Sequence, residues 1–185
     1  AAASFEPEKN QVTLEDGSRL AYRQLVVAPG LKLDWDAVEG LRENLGKNGV
    51  TSNYRFDYAP YTWELVKNLR SGRAIFTKPR MPIKCPGAPQ KAMYLSCDHW
   101  LRNQRLADIE VKFCSANAAL FDVEHFVPAL MEYVQKYDAN LDFFHNLVAV
   151  DGPAQKAWFD IGEPGNEPRR EEVGFDMIHV VPPQI

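Results

Sequence analysis

Polar and apolar positions alternate through Gln11-Val12-Thr13-Leu14, break at Glu15-Asp16-Gly17-Ser18, and alternate again through Arg19-Leu20-Ala21-Tyr22. Period two on both sides of a turn-forming tetrapeptide predicts a β-hairpin. Leu25-Val26-Val27-Ala28 is a continuous apolar run closed by Pro29-Gly30, which predicts a short buried strand of parallel type. Asp36–Gly40 and Arg42–Gly49 read as loop or short helical turns. Between Tyr61 and Leu69, Trp63, Val66 and Leu69 recur at three-residue spacing and Gly72 follows as a stop, so an amphipathic helix is expected there.

From Arg73 the periods alternate. Ala74–Thr77 reads as a strand, and a loop rich in proline and lysine runs from Lys78 to Gln90. Lys91–Arg102 reads as a helix and Ile109–Phe113 as an alternating strand. Phe126–Tyr137 reads as a helix with Val127, Leu130, Met131 and Val134 on one face. Leu141–Phe144, Leu147–Val150 and Ala157–Ile161 read as strands. Gly162–Glu171 reads as an exposed polar turn, with the charges of Glu167–Glu172 in a solvated loop. Met177–Val181 is the last strand, stopped by Pro182-Pro183. Strand, helix, strand, helix, strand, a small group of strands and a final apolar strand predict an α/β fold. The expected core is a Rossmann-type parallel sheet with a β-meander inserted late. Both ends are abrupt, and the chain reads as a segment of a larger protein.

Composition changes this picture little. The 185 residues carry 25 acidic and 21 basic side chains, a net charge of -4. No basic excess exists to pair with phosphates, which argues against a nucleic-acid partner. No apolar run of about 18 residues exists, so no membrane span is expected. The opening AAASFEPEKN has neither the basic nor the apolar region of a signal peptide. Cys85, Cys97 and Cys114 are odd in number and widely spaced, which argues against a disulfide scaffold and a zinc site. His99, His125, His145 and His179 are scattered. No metal site is expected.

The candidate chemistry lies in the loop after the first strand of the alternating region. In a Rossmann unit this loop meets a dinucleotide, and GxGxxG lets the backbone approach the pyrophosphate. Here the loop reads Lys84-Cys85-Pro86-Gly87-Ala88-Pro89-Gln90-Lys91. The next strand ends in Cys114-Ser115-Ala116, without the acid that would hold a ribose hydroxyl. Fold shape without nicotinamide binding is the expectation. Cys85 sits where the fingerprint would be, just before a helix and after Lys84, and both features favour a thiolate. It reads either as a nucleophilic or redox thiol or as a small residue under a stiff loop. Cys97 in mid-helix and Cys114 at a strand end read as core residues.

Ala74–Thr77 and the stretch Pro82–Leu95, with its KCxGAPxK core, resemble the sulfide:quinone oxidoreductase family, in the branch that includes the mitochondrial enzyme. Asp176–Pro183 resembles that family's later strand and proline pair. Leu25–Gly30 is similar to the strand end that lies near FAD in two-dinucleotide flavoproteins, and Ser52-Asn53-Tyr54 and Thr62-Trp63 are also similar. The resemblance implies a catalytic role for Cys85 as one of two redox cysteines; the neighbouring Lys84 is the candidate stabiliser of its thiolate on chemical grounds. The resemblance also implies FAD contact at Ala28 and Gly30, although proline replaces the usual threonine between them. It further implies sulfide and quinone as substrates, electron transfer through FAD, and a parent protein lying peripherally on a bacterial or mitochondrial inner membrane through a later C-terminal region. Residues 1–50 then correspond to the end of an FAD-binding domain, 51–72 to a connecting helix, 73–181 to a central Rossmann-like domain and 182–185 to a link back. The family's first FAD motif would precede residue 1. Its partner cysteine, second FAD motif and quinone pocket would follow residue 185. The segment alone is expected to be soluble, to bind FAD weakly or not at all and to be inactive. Two other readings are a type II NADH dehydrogenase-like or flavocytochrome c sulfide dehydrogenase-like flavoprotein, and a Rossmann-like scaffold without chemistry. Oligomeric state is left open.

Overall fold

The computed structural model describes every residue except Pro164. The chain divides into two compact units, Ala1–Gly30 and Leu31–Ile185. In the first, β1 (Ala2–Glu6), β2 (Gln11–Leu14) and β3 (Arg19–Ala21) form an antiparallel sheet in that order. The expected hairpin is β2–β3, with Val12 opposite Leu20. Asp16 closes its turn by accepting the Ser18 N–H at 2.9 Å. The period of the sequence did not reveal β1. The expected buried strand at Leu25–Ala28 is not formed: the segment is irregular and Val26 is 90% exposed. An apolar run becomes a strand only when backbone partners lie alongside it, and among the described residues none pairs with this one.

The second unit comprises, in order, α1 (Leu41–Asn44), β4 (Val50–Thr51), α2 (Ala59–Asn68), β5 (Gly72–Lys78), α3 (Ala88–Arg102), β6 (Ile109–Ser115), α4 (Val127–Lys136), β7 (Asn140–Phe143), β8 (His145–Asp151), β9 (Lys156–Ile161), β10 (Arg169–Gly174) and β11 (Met177–His179). Five strands form a parallel sheet in the order β4-β11-β5-β6-β7. Strands β8, β9 and β10 form a separate antiparallel meander. This is the predicted α/β architecture. The β4–β11 pairing depends on Gly49, whose φ of +80° is in the left-handed region and whose Cβ, if present, would stand 2.5 Å from the Asp176 carbonyl oxygen. The Gly49 carbonyl accepts the Ile178 N–H at 2.8 Å.

Side-chain alternation along the central strands divides the core into two faces. Ala74, Phe76, Val111, Phe113 and Met177 pack with Val66 of α2, Met93, Cys97 and Trp100 of α3, and Val134 of α4. Ile75, Cys114 and Ile178 point the other way and pack with Leu41 of α1 and with Leu147, Phe159 and Val173 of the meander. Each fully buried Phe76, Met93 or Ile75 contributes about 1.5–3 kcal/mol by leaving water. Trp100 adds a hydrogen bond, its Nε1 donating to the Val66 carbonyl at 2.8 Å, and so ties α2 to α3.

Three further expectations need correction. In α2 the buried side chains are Thr62 and Val66, while Trp63 is half exposed and meets His99 edge to face with ring centres 4.8 Å apart. The apolar spacing placed Trp63 inward, but the Thr62 hydroxyl has a buried partner in Thr51 at 2.7 Å and takes that position. Helix α3 starts at Ala88, three residues before the expected start, because Pro89 fits a first helical turn where no N–H bond is lost. The solvated loop expected at Glu167–Glu172 is in large part strand β10. Its charges hid it. Arg170 lies directly opposite Asp160 on β9 and binds it through two nitrogens at 2.7 and 3.1 Å, and Lys156 pairs with Glu172 at 2.7 Å. Cross-strand ion pairs here replace the alternating apolar pattern.

Candidate active site at the carboxyl edge of the parallel sheet

Strands β6 and β7 lie on one side of β5, and β11 and β4 on the other. In open α/β sheets the crevice beyond the carboxyl ends of the strands, where the order reverses, receives ligands. Here the reversal is between β5 and β11. Because β4, β11 and β5 are parallel and adjacent, the segments that leave them emerge on one edge. These segments carry Tyr54, Gln184 and the Lys84-Cys85 pair, respectively.

Three hydrogen bonds fix the backbone around Cys85. The Lys84 N–H donates to Gln184 Oε1 at 2.6 Å. The Tyr54 hydroxyl donates to the Lys84 carbonyl at 3.1 Å. The Ala88 N–H, in the first turn of α3, donates to the Cys85 carbonyl at 2.8 Å. Gln184 is itself held, since Lys32 and Ile185 exchange N–H···O bonds at 2.7 and 2.9 Å and Asp34 donates to the Pro183 carbonyl at 2.9 Å. Within this frame Cys85 is exposed and adopts φ +56°, the left-handed region. For a residue with a Cβ that conformation costs about 1–2 kcal/mol, and the flanking bonds offset it.

The electrostatics separate the three thiols. Cys85 lies just ahead of a 15-residue helix, whose unpaired N-terminal N–H groups favour negative charge. Lys84 is exposed beside it. Cys97 is fully buried, and burial pushes its thiol up to about 12. Burial, and then the Asp142 carboxylate, push the Cys114 thiol up further. Iodoacetamide at pH 8 should therefore label Cys85 in the native protein and spare Cys97 and Cys114 until the chain is unfolded in guanidinium. Peptide mapping by mass spectrometry reads the three sites separately, and labelling of all three at similar rates would contradict this assignment. Tyr54 is pushed up to about 12, first by burial and then by the nearby Cys85 sulfur, whose charge opposes a phenolate. It stays a neutral hydrogen-bond donor through the physiological range.

The same edge gathers three buried polar atoms without hydrogen-bond partners, namely Lys78 Nζ, His179 Nδ1 and Gln184 Nε2. Lys78 ends β5 with its side chain fully buried and its ammonium 3.7 Å from Asp122 Oδ1. Burial lowers its pKa. His179 ends β11, and its Nε2 accepts the Asn53 N–H at 3.0 Å. Ala28 and Gly30, the expected FAD contacts, are exposed in the first unit, and a Cβ on Gly30 would meet nothing within 4 Å. Among the described residues no three His, Cys, Asp or Glu side chains converge as a metal set, and no helix is long and apolar enough to cross a membrane.

Sequence reading isolated Cys85 and Lys84 but not the function of Tyr54 or Gln184. Strand β4 has only two residues, too few to show a period, so nothing marked Tyr54 as the first loop beyond a sheet strand. Gln184 could be suspected only from its place just after the last apolar strand.

No protein-family model matches the chain. It is 45% identical over 181 residues to the mitochondrial sulfide:quinone oxidoreductase of Dictyostelium discoideum, covering 97% of this chain and 39% of that protein. To the mouse mitochondrial sulfide:quinone oxidoreductase it is 32% identical over 182 residues, covering 98% of this chain and 40% of that protein. The chain thus spans about two fifths of the length of the curated relatives it matches. The crystal structure of the Aquifex aeolicus sulfide:quinone oxidoreductase superimposes with a TM-score of 0.70 at 19% identity, over 98% of this chain and 41% of that one; at that identity the likeness speaks for the fold. Over nearly its whole length, then, the chain is homologous to a stretch of the mitochondrial-type sulfide:quinone oxidoreductases.

Proposed function

We propose that the chain is the central redox segment of a flavoprotein that oxidises hydrogen sulfide at Cys85 and delivers the electrons through FAD to a quinone. The observation that carries this reading is an accessible cysteine, fixed in a left-handed conformation at the carboxyl edge of the sheet, where a nucleotide fingerprint would otherwise stand. Homology to enzymes named for sulfide and quinone supports it.

The chemistry follows from thiol–disulfide exchange. With Cys85 in a disulfide to a partner cysteine outside this chain, HS⁻ attacks the Cys85 sulfur. The old S–S bond breaks and the partner leaves as a thiolate. A new S–S bond makes Cys85 a persulfide, and the incoming sulfide's proton passes to solvent. The sulfide sulfur loses two electrons and the disulfide gains them. A nucleophilic acceptor, such as a thiolate or sulfite, then takes the outer sulfur and leaves Cys85 as a thiolate, so that two thiolates stand together; FAD, when bound, would supply the two-electron acceptor that restores their disulfide. In this chain the hydrogen bonds to Lys84 and Cys85 set the direction of the Cys85 side chain, with Lys84 next to it and the N-terminus of α3 just beyond. On this reading FAD contacts belong to residues 1–50 and the redox loop to residues 73–181. The relatives' mitochondrial names support a mitochondrial parent, and its attachment to the inner membrane through a C-terminal region is part of the proposal.

A nicotinamide route is disfavoured by Pro86 in the β5–α3 loop and Pro89 in the first turn of α3, where glycines would approach a pyrophosphate, and by Ser115 at the end of β6 in place of an acid. Anaerobic addition of sulfide to the full-length flavoprotein should bleach its flavin absorbance within the mixing time of a manual experiment, whereas NADH should leave it oxidised over minutes. The opposite order of reactivity would replace this reading with an NADH dehydrogenase.

A further inference from the structure

We infer that Tyr54 and Gln184 form a two-sided clamp on the backbone of Lys84 and are positioning residues for the Cys85 sulfur; the activity arm of the test rests on the function proposed above. One side chain takes the peptide group on each side of the Lys84 Cα. Gln184 accepts the N–H of the Ile83–Lys84 peptide at 2.6 Å and Tyr54 donates to the carbonyl of the Lys84–Cys85 peptide at 3.1 Å. The second of these leads directly into Cys85, so fixing both sets the direction in which residue 85 leaves the backbone. With φ at +56° the cysteine occupies a conformation that a freed loop would leave.

The clamp spans the fold rather than the local chain. Tyr54 and Lys84 are 30 residues apart, and Lys84 and Gln184 are 100 residues apart. They meet because β4, β11 and β5 are adjacent and parallel. Gln184 is 5% exposed, and its amide nitrogen is buried without a partner, so burial of this side chain costs a donor and is compensated by the bond to Lys84. Tyr54 stays neutral through the physiological range, so its grip on the carbonyl does not vary with pH there.

The test uses the full-length protein with Tyr54→Phe, Gln184→Met and, as the conservative replacement, Gln184→Glu, which keeps an acceptor for the Lys84 N–H. Peptide-resolved iodoacetamide labelling reports Cys85 directly, and continued protection of Cys97 and Cys114 certifies the fold of each variant. Tyr54→Phe and Gln184→Met should each slow Cys85 labelling at least threefold. The double variant should slow it less than the product of the two, because both act on the backbone of one residue. Gln184→Glu should restore at least half of the loss. In turnover, kcat for sulfide should fall about tenfold in each single variant, or about 1.4 kcal/mol, with the quinone KM unchanged. Labelling within twofold of the parent in either folded single variant overturns the clamp, and so does full additivity in the double variant. If Cys85→Ser leaves sulfide oxidation intact, the functional reading fails, while the labelling arm still decides the clamp.

Discussion

Cys85→Ser in the full-length protein should lower sulfide-dependent flavin reduction on the order of 10³-fold or more, with the flavin still bound. A serine hydroxyl can neither form the disulfide that HS⁻ opens nor carry the transferred sulfur, so no weaker version of the same route survives. The substitution is small and the side chain is exposed, so little packing is lost. All three flanking hydrogen bonds use backbone atoms of Lys84 and Cys85 and persist in the variant. Stopped-flow absorbance at the flavin band, with flavin content measured on the same sample, separates lost chemistry from lost cofactor. Sulfide oxidation at more than a tenth of the parent rate would remove Cys85 from the mechanism. Loss of flavin from the variant would instead show that the loop is needed to hold the cofactor, an outcome the exposure of Cys85 argues against.

The parts of the fold that were legible in the sequence are those where a period coincides with burial. Helices α3 and α4 present one apolar face to a core and β6 alternates through Ile109–Phe113, so periods of 3.6 and 2 identify them directly, while β5, buried on both faces, shows as a continuous apolar run. The elements that escaped are held together by something other than apolar contact. Strand β10 is held by Arg170–Asp160 and Lys156–Glu172 and reads as polar loop. Strand β4 is too short for any pattern and depends on Gly49. Leu25–Ala28 fails in the opposite sense: its composition is right for a strand, but strand formation needs a neighbour that one segment cannot specify. The site divides along the same line. Cys85 was legible because a thiol in a nucleotide loop is chemically distinctive. Tyr54 and Gln184 were not, because their contribution arises from the order of three strands, and sheet order is not written in any one stretch of residues.

Acid should destabilise the second unit through His179 more than through any other single histidine. The ring is buried at the end of β11, which depresses its pKa from 6.5 to about 4. Its Nε2 already accepts the Asn53 N–H at 3.0 Å, and a proton there would set donor against donor. Between pH 6.5 and 4 the unfolded chain binds a proton that the folded chain refuses. The stability contribution is thus complete above pH 6.5, falls as pH drops through that window, and levels off below about 4. At 1.36 kcal/mol for each pH unit the loss comes to about 3 kcal/mol, or roughly 6–12 °C in Tm for a unit of this size. Carboxylates also respond in this range, so the informative quantity is the difference from a variant that cannot titrate. His179→Gln keeps an acceptor for the Asn53 N–H and removes the ionisation. Its Tm at pH 7 should lie below that of the parent because the packing against Phe76 is altered, the two rings being 6.0 Å apart. Its decline between pH 6.5 and 4 should nevertheless be shallower than the parent's by most of that interval. Parallel Tm–pH curves for the two proteins would show that His179 binds its proton as readily in the folded as in the unfolded state, and that the buried imidazole held neutral by its hydrogen bond is wrong.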